Sequence, residues 1–462
     1  MKPSLVVLGG GLSGLAAAIR CARYFPDVVI LEQHIRPGGL NSWYYRNGRL
    51  FETGLHAITN FAAADDKKAP LNRLLRQLGI ARDRLRLHPQ IGSEIRFPGG
   101  RVLPFSNDFA ELTENIGKVF PKSRPAFLAL TDWLRGFDPF AAAPFRSARA
   151  FLRQSLPDAL LADMLRCPLS FYGSSVENDM DLSQFAIMFR AIFLEGFCRP
   201  AGTIKDILDL LLERYQELGG AIRYRAKVAA IVHEGGQVRA ARLETGEEIE
   251  CRFLLSTIGH AETLAILGKE IPKEAPRLGF VENIFSLPRA SLPADRTIIF
   301  FNNGETFRYG VPKNAVDFSS GVLCMPGNFH GLSAASPEMA EPSWLRATHL
   351  ANYEKWREIA NDQAQYQATK QTMAAASLAE AEKILGISLA NSVCEDSFTP
   401  LTVARFTGKR HGAIYGAPDK IKDGDLGFAN LFLAGTDQGF LGIVGSMLSG
   451  VSMVNRHILP KL

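Results

Sequence analysis

Near the start of the chain, Gly9-x-Gly11-x-x-Gly14 stands between a short apolar run, Leu5–Leu8, and a helical stretch from Ser13 to Tyr24. The run does not alternate, as expected of a strand buried on both faces. Val28-Val29-Ile30-Leu31 is a second such strand, so strand, glycine turn, helix and strand follow one another as a βαβ unit. Gly9 permits the tight turn, Gly11 lets the backbone approach a pyrophosphate, and Gly14 lets helix and strand pack closely. The phosphates then rest on N–H groups at the helix N-terminus, around Leu12 and Ser13, where the helix dipole favours negative charge. Glu32 ends the second strand, eighteen positions after Gly14 and next to Gln33. A carboxylate there accepts hydrogen bonds from ribose hydroxyls, each worth about 1.5–3 kcal/mol. It also repels a 2′-phosphate, which disfavours NADP. A GxGxxG alone is weak in a chain with 41 glycines; strand, helix and spaced carboxylate together specify dinucleotide binding.

The 462 residues suggest two or three structural units, and 47% hydrophobic with 21% charged residues is ordinary for a packed soluble protein. A net charge of +5 is too mild to argue for nucleic acid, though an anionic membrane surface would not repel it. The six cysteines form no CxxC pair and the nine histidines no paired ligand spacing. Free thiols in a reducing, cytoplasmic setting and no metal are expected. Three glycines interrupt the first apolar run after four residues, which argues against a cleaved signal. No stretch of 18 apolar residues is present to span a bilayer.

Further blocks continue the pattern. From Ile204 to Leu218 the apolar residues fall at helical spacing, and Gly219-Gly220 end the helix. Ile222, Tyr224, Ala226 and Val228 alternate with Arg223, Arg225 and Lys227, which reads as one strand with a wet face. Val238–Leu243 and Phe253–Thr257 follow as strands, and Asn430–Gly435 as a last apolar strand before Asp437 and a glycine-punctuated helix to about His457. The expected fold is α/β: a discontinuous Rossmann-type domain from 1–60, 201–269 and 401–462, with an interleaved α+β substrate domain from 61–200 and 270–400.

Arg36-Pro37-Gly38-Gly39 follows the Glu32 strand, and Phe51-Glu52-Thr53-Gly54-Leu55-His56 comes soon after. Here the sequence resembles the phytoene desaturase, carotenoid isomerase and retinol saturase branch of the FAD-dependent amine oxidase superfamily. Leu433-Ala434-Gly435-Thr436-Asp437-Gln438-Gly439 with Gly442-Ile443-Val444-Gly445 resembles the closing motif of that family. The resemblance implies a glutathione reductase-like FAD-binding fold. It places Arg36, Gly38, Gly39, Leu40, Gly54 and His56 about the flavin and Val228 near the adenine. Gly435 and Asp437 then meet the ribityl–phosphate part, and the helix begun by Gly442, Ile443 and Val444 faces the pyrimidine ring. Such a helix end stabilises negative charge on a reduced flavin.

The same resemblance implies a lipophilic polyene or isoprenoid substrate and desaturation, saturation or cis-trans isomerisation. His56 is the candidate proton shuttle, with Glu195 and Tyr172 as pocket candidates; the alternative for each is a hydrogen-bonded wall residue. The run Phe137–Phe151 is open to two readings, a surface that dips into a membrane to admit substrate or a piece of the domain core with arginines in solvent. Oxidation of an amine or a porphyrinogen is the second enzyme reading. A non-catalytic escort of prenylated proteins on the same fold is the reading from another class.

Overall fold

Leu5–Leu8 is buried along its whole length and lies in parallel register between Val28–Leu31 and Phe253–Ser256. The computed structural model describes residues 2–141, 143–272, 276–333 and 336–462. Leu431–Leu433 and Ala221–Arg223 close the two edges of this five-stranded parallel sheet. The absence of alternation now has a cause. Leu5 and Val7 pack with the helices Leu12–Ala22, Ile204–Glu217 and Gly442–Met453. Val6 and Leu8 pack with an antiparallel sheet of Val228–Glu234, Gln237–Leu243 and Glu248–Glu250 on the other face. A strand covered on both faces needs apolar residues at every position.

The second body is a seven-stranded mixed sheet, ordered Val393–Phe398, Gly279–Leu287, Ser343–Ala351, Val316–Cys324, Ile298–Asn302, Ser93–Phe97 and Arg101–Phe105. All its pairings are antiparallel except Ile298–Asn302 with Ser93–Phe97. Here the strands do sort by face. Ile298 and Phe300 join the Phe-rich helical layer that includes Ala159–Gly173 and Leu182–Phe189. Ile299 and Phe301 pack against the long helix Gln363–Leu385. The chain is therefore α/β, a parallel nucleotide-binding-type sheet joined to a mixed sheet with its own helices.

One expected element divides in two. The alternation from Ile222 to Val228 is not a single strand: Ala221–Arg223 ends at the edge of the parallel sheet, and Arg225 takes a left-handed φ of 54°. Arg225 and Ala226 donate their N–H groups to the carbonyls of His34 and Glu32, and Val228 then opens the three-stranded sheet. Period-two spacing cannot reveal such a corner, because both strands share one phase across it.

In the Phe137–Phe151 region, Phe140 and Phe145 are more than half exposed, whereas Phe137 and Phe151 pack on Trp133 at 4.7 and 4.6 Å. Among the described residues no helix is long and apolar enough to cross a membrane, and no three His, Cys, Asp or Glu side chains are grouped to hold a metal.

Candidate functional site: a cleft at the glycine turn

The turn after the first strand is built as tightly as its glycines allow. Gly9 has φ 98°, and a Cβ on Gly14 would stand 2.0 Å from the Gly9 carbonyl oxygen. Gly11 begins the first helix without any side-chain cap, and its first turn carries no acidic residue. The N–H groups of that turn are thus left for a ligand. The Ser13 hydroxyl beside them is buried with no hydrogen-bond partner. Glu32 tethers the turn from below: its two oxygens accept from the N–H groups of Gly10 and His34, each at 2.7 Å.

The Arg36–Gly39 turn lies against this one. Gly38 donates its N–H to Gly10 and forms a parallel bridge with Gly11, while Arg36 sits 4.6 Å over the Trp43 ring. Gly54 (φ 73°) lies below Leu40, whose carbonyl a Cβ would approach to 2.7 Å. From the far end of the chain, Gly435 (φ 95°) comes within reach of Ser13 and Thr257 and is anchored by the Ser449 hydroxyl, 2.7 Å from its N–H.

These segments enclose a cleft of about 830 Å³, a size typical of a cofactor-binding cavity. Gly9, Gly11, Leu12, Ser13, Glu32, Gln33, Arg36, Gly38, Gly39, Leu40, Val228 and Gly435 all line it. So does Phe406, from the Arg405-Phe406-Thr407-Gly408 segment that also resembles the family, and so do Thr257, Phe398 and Lys409, which sequence reasoning did not single out. Lys409 could have been suspected, as a cation following the Arg405-Phe406-Thr407-Gly408 segment. The apolar lining, including Leu8, Ile258, Val403 and Phe406, outweighs the polar.

Other expected site residues stand behind the wall. Gly14 and Gly54 shape it through backbone contacts. Asp437 is buried, with its oxygens on the N–H groups of Ala417 (2.5 Å) and His260 (2.9 Å). Burial pushes this carboxyl up, but Lys409, Lys420 and the two N–H groups outweigh it and hold it below the usual range. It braces the loops about the cleft without lining it. Ile443 and Val444 point into the apolar core beneath the last helix, and Gly442 approaches Thr59.

His56 is also outside the lining. Its Nε2 lies 3.0 Å from a carboxylate oxygen of Glu282 and 3.4 Å from the Thr348 hydroxyl. The other Glu282 oxygen is 3.1 Å from Arg346, which also donates to the Glu52 carbonyl at 3.1 Å. Arg199, fully buried, pairs with the Glu52 carboxylate. This charged chain runs from the mixed sheet to the Arg49–Glu52 and Cys198–Pro200 strands and, through Glu52, to the Ile204 N–H that opens the Ile204–Glu217 helix. Sequence reasoning missed Glu282, Arg199 and Arg346. The available signal was a lone charge inside otherwise apolar strand runs, as in Gly279–Leu287.

Tyr172 packs its ring on Phe197 and Phe300, with centroids 5.0 and 5.6 Å away. Glu195 lies elsewhere, accepting from Asn60 at 2.9 Å. Burial pushes its carboxyl up to about 7, against the opposing pull of the Asn60 bond. This raised value makes stability depend on pH. The fold is fully compatible with the neutral acid below about pH 4, near the unfolded value, and loses stability as pH rises through 7. Replacing Glu195 with Gln removes that dependence. The unfolding free energy of the variant minus that of the wild type is expected to rise by roughly 3 kcal/mol between pH 4 and 8. Urea midpoints across that range measure it, and a flat difference contradicts the assignment.

The family model for flavin containing amine oxidoreductase matches residues 12–281, more than half of the chain. The chain belongs to this family. Among curated relatives, it is 26% identical over 280 residues to a lycopene-forming phytoene desaturase of Pantoea ananas, covering 56% of the chain. The chain spans about half the length of that relative, 55%. It is 22% identical to the chloroplastic prolycopene isomerase of Arabidopsis thaliana, covering 91% of the chain and 76% of that protein. It is also 23% identical to the all-trans-retinol 13,14-reductase of Homo sapiens, covering 100% and 86%. In fold it is similar to an oxidoreductase from Methanosarcina mazei, with TM-score 0.69, 16% identity, and 99% and 100% of the two chains covered. A redesigned putrescine oxidase gives TM-score 0.61 at 14% identity, with 100% of each chain covered.

Proposed function

We propose that this flavin-family member is an FAD-dependent oxidoreductase acting on a hydrophobic polyene or isoprenoid, by desaturation, saturation or cis-trans isomerisation. The observation that carries the cofactor is the unpartnered Ser13 hydroxyl beside an uncapped helix N-terminus in a cleft of dinucleotide size. Gly9, Gly11, Leu12 and Ser13 would hold the pyrophosphate, Glu32 the adenosine ribose with the acceptor capacity its two backbone bonds leave free, and Val228 the adenine. Gly38, Gly39, Leu40 and Gly435 would flank the flavin half. Bound there, the flavin supplies the two-electron chemistry that side chains cannot.

The chain's own residues orient, exclude water and handle protons. His56 is the group proposed to hold the proton that accompanies hydride loss or gain at a carbon–carbon bond. A substrate without charge is recognised by shape and apolar contact, which agrees with the aromatic layer of Phe105, Tyr172, Phe193, Phe197 and Phe300. The named activities of the curated relatives favour this substrate class over an amine. Membrane contact through exposed Phe140 and Phe145 belongs to the same proposal.

Anaerobic incubation of the flavin-loaded protein with a panel of polyenes, amines and a porphyrinogen tests it. Bleaching or recovery of flavin colour together with a mass or isomer change in a polyene is expected. Turnover of amines or the porphyrinogen alone overturns the substrate assignment. A colourless protein that takes up no flavin overturns the enzyme.

A further inference from the structure

We propose that Glu282 is a positioning residue for His56: its carboxylate holds the neutral imidazole as the Nε2–H tautomer and leaves Nδ1 as the atom that accepts a proton. The inference rests on the flavoenzyme reading above and adds to it the identity of the basic atom. It starts from a division of labour on one carboxylate. Oε1 of Glu282 meets Arg346 at 3.1 Å, and Oε2 meets His56 Nε2 at 3.0 Å. An ionised carboxylate can only accept, so the imidazole nitrogen facing it must donate. Which nitrogen carries the hydrogen is then fixed by the partner.

The carboxylate has reason to remain ionised. Burial pushes it up, yet the hydrogen bond from His56, the Arg346 guanidinium and the Thr348 hydroxyl oppose that and favour the ionised form. It therefore accepts throughout the working pH range and never reverses the bond by donating a proton of its own. Facing the pair are Arg346 and Thr348 from the Ser343–Ala351 strand, Glu52 and Arg199 beyond Arg346, and Cys324, Tyr172 and Tyr44. Thr348 touches both members, 3.4 Å from Nε2 and 3.5 Å from Oε2. The backbone of His56 is held too, because its carbonyl accepts from Arg199 at 3.3 Å.

Sheet register puts this dyad next to the cleft. Glu282 pairs with Thr348 on one side and with Phe398 on the other, and residues paired across strands share a face. Phe398 lines the cleft. The sheet face that presents Glu282 to His56 thus continues into the cofactor-site wall. A structural ion pair with Arg346 alone would need no histidine on the second oxygen. An oxidised flavin bound in the cleft would supply the two-electron acceptor for a substrate carbon–hydrogen bond, and Nδ1 of His56 would take the second hydrogen as a proton as the carbon–carbon double bond forms.

The test uses flavin-loaded protein labelled with ¹⁵N-histidine, with His56 assigned by comparison with His56→Gln. Long-range ¹H–¹⁵N spectra at high pH read the tautomer directly. The expected result is Nε2–H in the wild type, a mixed tautomer in Glu282→Gln, and restored bias in Glu282→Asp. Thr348→Val should leave the tautomer unchanged. In turnover, kcat of Glu282→Gln should fall at least about tenfold with KM little altered, at unchanged flavin content. Nδ1–H in the wild type overturns the proposal even if the variants fail to fold, and so does an unchanged tautomer in Glu282→Gln. The spectra need no substrate. A correct tautomer without polyene turnover therefore removes the substrate assignment alone, and turnover with the wrong tautomer removes only the role of Glu282.

Discussion

Gly450→Val is expected to weaken flavin binding at least about a hundredfold and to destabilise the fold by about 3 kcal/mol or more, because overpacking of a tight contact falls at or above the upper end of its usual cost. The last helix, Gly442–Met453, crosses the first helix at this residue. A Cβ on Gly450 would stand 2.1 Å from the Ser13 carbonyl oxygen, 3.0 Å from its carbon and 3.1 Å from the Ala17 nitrogen. All three are backbone atoms, so no side chain can swing aside. The last helix must move outward, taking with it Ser449, which anchors Gly435 at the cleft. Flavin titration by fluorescence and urea unfolding measure the two effects. Gly136→Ala is the control, since its Cβ would meet nothing within 4 Å. Near-native flavin affinity in Gly450→Val contradicts the close crossing.

Arg199→Met is the second large effect. Arg199 and Glu52 are both almost wholly buried, and their pairing joins the Leu55 and His56 carbonyls, the Ile204 N–H and Arg346 into one array. Removing one charge leaves Glu52 short of its partner in a medium that cannot solvate it, a loss of about 3–5 kcal/mol. Thermal and urea unfolding should show it, together with reduced order at His56. The double variant Arg199→Met with Glu52→Gln should recover part of the loss. Equal stability of the single variant and the wild type would show that the pair carries little weight.

Local pattern made the nucleotide-binding half legible and left the ionic half hidden. Gly9, Gly11 and Gly14 announce themselves because they stand at fixed spacing inside one βαβ unit, where a Cβ on Gly14 would strike the Gly9 carbonyl, and Glu32 because it closes the same unit. Gly435 lies far off, but its apolar strand and following glycines carry the same local grammar. Glu282, Arg346 and Arg199 lack such grammar. Each is a single charge in a strand, and its partner comes from an element more than fifty residues distant. The corner at Arg225 was invisible for another reason. Two strands of different sheets met in one phase of alternation, and only the left-handed φ separates them. Asp437 was legible as a motif residue, yet its oxygens turn to the Ala417 and His260 backbone. Which side of a wall a carboxylate faces depends on loops that local spacing does not encode.

The order of strands in the parallel sheet sets a timetable for synthesis. Leu5–Leu8 emerges first, but its neighbour Phe253–Ser256 and the edge strand Leu431–Leu433 come roughly 250 and 430 residues later. At about 5–20 residues per second, the nascent glycine turn waits on the order of 20–85 s before the segment bearing Gly435 can reach it. During that interval the first strand lacks part of its cover and the cleft lacks a wall. Assembly of the cleft is thereby deferred until the Leu431–Leu433 strand and Gly435 have been made, and a ribosome stalled before Leu431 would hold a glycine turn with one wall missing.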